Sequence, residues 1–286
     1  MLRSLLLLSL LLLAQAARSA QPAQVEIRWD RYGIPHIYGR TVEDVCFGLG
    51  YAQMTNHAEQ LLINVAAARG RYAEYFGPGS NDEFVAHDMF IHTMGSQQRA
   101  RQWLVQGGNA QRQYLSAFVA GANAYAADHK DTIAPAIRAV LPLTETDPLA
   151  VWQWTMQFGF QIIGSRMVQR QWEAAAAEQG EPRRAASNAW AIAPSKSKDG
   201  TTMLMGNPHL DFGVNGWLPQ RENDPDRGAW QWMQAHVAIG DPARPAVNLT
   251  GAGFLGCPRF PSASTSVSPG RTPIIGRRRQ ACTSCR

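Results

Sequence analysis

Val25-Glu26-Ile27-Arg28-Trp29 alternates apolar and polar positions with the period of a half-buried strand, and Asp30 to Pro35 supplies a turn. Beyond it the spacing predicts helix for a long stretch. Thr41 with Asp44 three residues on fits a capping box, and Val45, Leu49 and Ala52 continue at helical steps toward Leu61, Leu62 and Val65, with Gly70 placed to end the helix. Leu115, Phe118, Ala122 and Tyr125 give a second amphipathic helix with one buried stripe. Asp147-Pro148, read as a cap followed by proline at the first helical position, starts a third that runs through an apolar Trp152 to Phe160; Ala174 to Glu178 belongs to a fourth, stopped by Gly180. Glu181 to Arg184 reads as an exposed linker, and Asn188 to Ala193 and Met203 to Met205 read as short strands. A helix-rich segment therefore precedes a strand-rich one.

The N-terminus follows a different pattern. Arg3, the apolar run from Leu5 to Leu13 broken only by Ser9, and Ala14-Gln15-Ala16 have the three parts of a secretory signal peptide, assigned to residues 1–20. The run is about half the ~20 residues needed to span a bilayer, and no later stretch approaches 18 apolar residues. The expected location is periplasmic or secreted, with no membrane association once the leader is removed.

Composition adds one correction. With 45% hydrophobic and 17% charged residues, nine Trp and ten Phe, the 286-residue chain can form a sizeable core, which excludes disorder and fibrous repeats. The net charge of +5 suggests a nucleic-acid or membrane partner until its location is considered. Six arginines lie in residues 258–286, a stretch without Asp or Glu; without it the net charge is −1, and −3 without Arg3 and Arg18 as well. The body is mildly acidic, and no nucleic-acid partner is expected. Only Cys46 precedes residue 257, so no disulfide framework is expected, and Cys282-Thr283-Ser284-Cys285 is a lone pair without metal partners.

The chemistry concentrates at the junction of the two halves, in Ala185-Ala186-Ser187-Asn188-Ala189-Trp190, followed by Asn207-Pro208-His209 with the histidine twenty-two residues after Ser187. Upstream stand Tyr32-Gly33-Ile34-Pro35-His36-Ile37, Gly48-Leu49-Gly50-Tyr51-Ala52-Gln53 and Ala68-Arg69-Gly70-Arg71-Tyr72-Ala73-Glu74-Tyr75-Phe76-Gly77. Together, in this order, these strings resemble the penicillin acylase family of N-terminal nucleophile hydrolases over roughly residues 25 to 257. The resemblance implies an α+β chain of the four-layer αββα type, here incomplete: residues 21–186 as a helix-rich first subunit with its spacer, and 187–257 as the start of a second.

It also implies a reaction, the hydrolysis of linear amide bonds in a small N-acyl substrate. A serine hydroxyl is a poor nucleophile unless a neighbouring base takes its proton. Cleavage between Ala186 and Ser187 gives Ser187 a free α-amine, a group that ordinarily titrates at about 7.7–8.0, so the residue carries its own base. Ser187 attacks the substrate carbonyl, its amine relays the proton to the leaving amine, and His209 holds or polarises the centre. Asn188, Trp190 and Asn207 complete the motif, and the two products of the cut form a heterodimer. His209 is typical of the homoserine-lactone and cephalosporin acylase branches; acyl-homoserine lactones, β-lactams and other N-acyl compounds remain open as substrates. Calcium occurs in several family members, through second-subunit ligands that this chain does not contain; no metal site is assigned.

Other residues have simpler readings. His36 is structural, and His87 and His92, five apart, are not a helical zinc pair. Trp152, Trp154, Phe158 and Phe160 suit core packing better than an acyl pocket. Asn248-Leu249-Thr250 fits a glycosylation sequon and carries no functional weight.

Two features depart from the family pattern. Ala186 stands where glycine often precedes the nucleophile. From Pro258 onward the chain is Ser, Thr, Pro and Arg without periodicity. One set of codons for Pro258 to Pro273, read from its third base, gives ALSIGFNERLAWTHT, which resembles the family's continuation. Residues 258–286 are therefore expected to be out-of-frame translation following a shift near Cys257. The oxyanion donors that the family supplies beyond that point have no counterpart, and the chain as written is expected to be inactive. The rival reading is a non-catalytic remnant or secreted binding module with a disordered basic tail.

Overall fold

A computed structural model of the chain describes residues 24–79, 82–159, 188–207, 232–258, 262–265 and 278–279. Strand β1 (Val25–Trp29) forms where the alternation places it. The turn at Asp30 is closed by its own carboxylate, which accepts from the backbone N–H groups of Tyr32 and Ile34. The chain does not pass directly into helix. Pro35–Gly39 is a second strand, β2, antiparallel to β1, with its proline at the first position, where a missing N–H is tolerated.

Helix α1 (Val42–Arg69) starts with the expected capping box: Thr41 Oγ1 accepts from the Asp44 N–H while the Asp44 carboxylate accepts from the Thr41 N–H. It ends at Gly70 in the left-handed conformation (φ 63°), which costs glycine no Cβ clash. His57 interrupts it with non-helical angles. Four short or medium helices follow: α2 (Tyr72–Phe76), α3 (Glu83–Thr93), α4 (Ser96–Gln106) and, matching the expected buried stripe, α5 (Asn109–Asp128). A single turn, α6 (Pro135–Arg138), leads to α7 (Asp147–Gln153). Asp147 is the first residue of α7 rather than its cap, and its carboxylate goes to Arg69 instead. The apolar run beyond it does not stay α-helical: Trp154–Gly159 is a π-turn. The expected fourth helix, Ala174 to Glu178, lies outside the described residues.

α1 and α5 form the main helix–helix contact of the molecule. Glycines make their close approach possible. A Cβ on Gly50 of α1 would stand 2.0 Å from the Phe118 carbonyl oxygen of α5, and one on Gly121 of α5 would stand 1.9 Å from the Phe47 carbonyl oxygen of α1. Each helix thus seats its backbone where the other has no side chain.

The second half is strand-rich, as its sequence predicts. β3 (Asn188–Ile192) and β4 (Met203–Asn207) form an antiparallel pair. β5 (Trp232–Asp241) and β6 (Arg244–Phe254) form a longer hairpin that joins the first half, β5 running parallel to β2. Two short strands, β7 (Ser262–Thr265) and β8 (Arg278–Arg279), lie within the tail expected to be out-of-frame translation and complete a six-stranded order β7-β6-β5-β2-β1-β8. The core lies between the helices and this sheet: Ile27, Trp29 and Ile37 meet α1 residues such as Leu49, Ala52 and Met54, with Val237 and Leu255 from the second half. The chain is α+β, helices packed against a sheet, in line with the expected class.

Candidate functional site

The junction motif reaches the described structure one residue after the expected nucleophile. β3 opens on Asn188, and its register with β4 sets Asn188 opposite Asn207, so the two motif asparagines face each other across the hairpin although nineteen residues separate them. Trp190, two residues along, is half exposed and pairs with Met205. Ala186, Ser187 and His209 lie outside the described residues. The hairpin is apolar on its surface, with Ile192, Met203, Leu204 and Met205 exposed as well.

The remaining motif strings lie in the first half, on α1 and the sheet it packs against. Asn56 of α1 ties the Tyr32 to Ile37 turn by accepting from Trp29 Nε1 at 3.0 Å and donating to the Gly33 carbonyl at 3.0 Å. Gly48 lets α1 approach the sheet beside Ile37 and Val25. Gln53, the last residue of the Gly48 to Gln53 string, is buried at 2% exposure and grips the turn that ends β6. Its Oε1 accepts from the Gly256 N–H at 2.9 Å, and its Nε2 donates to the Cys257 carbonyl at 3.1 Å. Cys257 is itself buried, its thiol directed at the Pro148 carbonyl oxygen at 3.4 Å. A glutamine 204 residues earlier thus fixes the end of the strand-rich half, a role its sequence position did not suggest.

Replacing Gln53 by leucine should leave the Gly256 N–H and the Cys257 carbonyl buried without their partner, at about 1–3 kcal/mol for each such group. Urea unfolding of the variant beside the wild type measures the loss; an unchanged midpoint would show that the clasp contributes nothing.

Other candidate residues find structural places. His36 is buried in the sheet against His236. His92 Nε2 lies 2.8 Å from the Gly70 carbonyl at the end of α1, and His87 lies beside Asp88, whose carboxylate accepts from the Tyr72 and Ala73 N–H groups. No cluster of three or more metal-ligating side chains occurs among the described residues. Cys46 is buried and free, and burial pushes its thiol up to about 12, with the Glu43 charge adding to the effect, so it stays protonated and inert. Asn248 of the sequon is engaged: its Oδ1 lies 2.6 Å from His236 Nε2.

Trp154 is core, at 2% exposure. Trp152 is only half-buried and lines, with Trp103, Tyr114 and Gln111, a cleft of about 530 Å³ that Cys257 and Pro258 border. Phe158 lies within the π-turn, and Phe160 lies outside the described residues. No described helix is long and apolar enough to cross a membrane.

The molecule is an α+β chain whose helices pack on a six-stranded sheet and whose motif asparagines, Asn188 and Asn207, pair across a second, two-stranded sheet. Residues 24–263 match the penicillin amidase family, and the chain belongs to that family. Acyl-homoserine lactone acylase PvdQ of Pseudomonas syringae pv. syringae (strain B728a) is 26% identical over 264 residues, 83% of this chain and 32% of that protein. Penicillin acylase 2 proenzyme of Pseudomonas sp. (strain SE83) is 23% identical over 265 residues, 72% of this chain and 32% of its own length. The chain thus spans about a third of the length of these curated relatives. Among solved structures, a thermostable penicillin G acylase from Alcaligenes faecalis aligns with a TM-score of 0.45 at 19% identity, over 57% of this chain and 98% of that one.

Proposed function

We propose that this chain carries the nucleophile of an exported N-acyl amidohydrolase, cut by its own chemistry between Ala186 and Ser187. The observation that carries the reading is the family match, which extends across the junction from residue 24 to 263 and includes Ser187-Asn188-Ala189-Trp190. The hairpin supports it: the motif's Asn188 opens β3 and stands opposite Asn207 of β4, so the two halves of the motif are brought together. Relatives named for acyl-homoserine lactones and for penicillin make an amide of a small carboxylic acid the substrate class.

In this proposal the Ser187 hydroxyl forms the acyl ester, its α-amine takes the hydroxyl proton and passes it to the leaving amine, and water releases the acid. His209 steadies that centre, and the two products of the cut remain together as a heterodimer in the periplasm or outside the cell. Intact-mass analysis of the exported protein tests this directly. Two fragments meeting at Ala186 and Ser187, the first beginning after the leader, are expected; one uncut chain would support the non-catalytic remnant.

We also propose that the segment from Pro258 is read in a shifted frame. Its charge supports this, since six arginines without one acidic residue differ from the acidic body, and so does the resemblance of the alternative frame to the family's continuation. Resequencing across the codons for Gly256 to Pro273 tests it; codons incompatible with the alternative frame would remove the proposal.

A further inference from the structure

The joint between the two halves of the chain has a polar centre. β2 and β5 are its parallel partners, and their register sets His36 directly beside His236. Both rings are buried, and their Nδ1 atoms stand 3.2 Å apart. At that distance one nitrogen carries hydrogen and the other accepts it. His236 Nε2 lies 2.6 Å from Asn248 Oδ1, a carbonyl oxygen that can only accept, so in neutral His236 the hydrogen sits on Nε2 and Nδ1 is bare. His36 Nδ1 must then be the donor, which leaves Nε2 of neutral His36 without hydrogen. That atom is buried without a hydrogen-bond partner among the described residues, 3.7 Å from Asp30 Oδ2. Two acceptors face each other there.

We propose that Asp30, His36, His236 and Asn248 form a proton-operated latch across the β2/β5 seam, closed when the histidine pair is neutral and loosened when it takes up a proton in mild acid. The first proton goes to His36 Nε2, where it meets Asp30 but places a cation in the sheet against His236. A second proton would put hydrogen on both Nδ1 atoms and break the bond between the rings.

Among the described residues, the charged and titratable groups on this face of the sheet are Arg28, opposite His36 in the β1/β2 register and paired with Glu26 at 2.7 Å, Tyr38, whose ring meets His236 edge-on at 5.7 Å and lies under the Arg28 guanidinium, and, one strand further out, Arg279 of β8 at the register position opposite Arg28. Thr250 faces His236 from β6 and is uncharged. α1 packs on the opposite face, against Val25 and Ile37. Asp30 favours the proton, while burial and the neighbouring His236 oppose it.

Burial first, and His236 second, hold His36 below its ordinary value, with Asp30 acting the other way. A group whose pKa is lower folded than unfolded binds protons preferentially in the open state. The seam is therefore full strength above about pH 6.5 and weakens as the pH falls below it, levelling once folded His36 is itself charged.

The latch does not depend on Ser187 being a nucleophile, since none of its four residues belongs to the junction motif and neither β2 nor β5 contains the Ala186–Ser187 bond. Hydrogen exchange on the full chain between pH 7.5 and 5.0, with each rate corrected for its intrinsic pH dependence, tests it. Protection at residues 37–39 and 237–239 should fall severalfold, while amides in the α1/α5 contact hold steady. Asp30→Asn should enlarge the acid loss, because it removes the carboxylate that favours the proton. His36→Gln should abolish it. Equal protection at both pH values in the wild type, or an acid loss in His36→Gln as large as the wild type's, would overturn the latch. If His36→Gln does not fold, the wild type and Asp30→Asn still decide, and a smaller acid loss in Asp30→Asn would count against it. Intact mass of the same samples records whether the chain was cut, so the two proposals fail separately.

Discussion

Replacing Ser187 by alanine is expected to leave the chain uncut at the Ala186–Ser187 bond and to abolish hydrolysis of N-acyl substrates in any form of the protein that has it. In the proposed cut, the Ser187 oxygen would bond to the Ala186 carbonyl carbon as the peptide C–N bond breaks and the hydroxyl proton passes to the nitrogen. This leaves an ester and a free α-amine; water then splits the ester, returns hydrogen to the oxygen and leaves Ala186 as a carboxylate. Alanine has no atom to begin this sequence. In a serine hydrolase, loss of the nucleophile costs about 10⁶ in kcat. Ser187→Cys should keep a nucleophile and therefore some self-cleavage, which separates a chemical effect from a folding defect. Activity should also rise with pH through the titration of the α-amine, because only the deprotonated amine accepts the hydroxyl proton. A cut at the same bond in Ser187→Ala, seen by intact mass, would show that another protease makes it and would remove Ser187 from the mechanism.

The parts of this molecule that were legible in its sequence are those whose cause is local. The capping box of Thr41 and Asp44, the stop at Gly70, the buried stripe of α5 and the β3 and β4 strands each follow from residues within a few positions of one another. β2 was not legible, because Pro35 to Gly39 is strand only through its neighbours: β1 on one side and, across 200 residues, β5 on the other. The motif strings identified the family without showing what they do here. Gln53 proves to be a clasp on Gly256 and Cys257, and Gly50 a backbone seat for α5, both set by distant partners. His236 had no sequence signal at all, being one polar residue in an apolar strand whose meaning depends on His36 and Asn248. Asp147 was misassigned as a cap for the same reason: its partner is Arg69, 78 residues away.

That pair gives the largest stability effect expected outside the junction. Arg69, the last residue of α1, meets Asp147 through two parallel bonds, Nε to Oδ1 at 2.8 Å and Nη2 to Oδ2 at 2.7 Å. Its remaining donors reach the Val140 carbonyl at 2.7 Å, the Pro142 carbonyl at 3.0 Å and the Tyr75 hydroxyl at 3.0 Å. Burial alone would lower the guanidinium pKa; the bonds and charge of Asp147 more than reverse this and keep it protonated. Asp147 is 2% exposed and also accepts from the Thr144 N–H at 2.6 Å. The family string Ala68 to Gly77 thus supplies one planar cation that ties the end of α1 to the start of α7. Arg69→Ala leaves a buried carboxylate and two carbonyls without their donors, and should cost about 3–5 kcal/mol in denaturant unfolding. Arg69→Lys should lose much of the same stability, since one ammonium with three donors cannot reproduce a five-donor fork. The decisive comparison is Arg69→Met with Asp147→Leu: removing both charges together should cost less than Arg69→Ala alone, because no unpaired ion stays inside. A double variant as unstable as the sum of its singles would mean that the two residues act independently and that the clamp is not an ion pair in energetic terms.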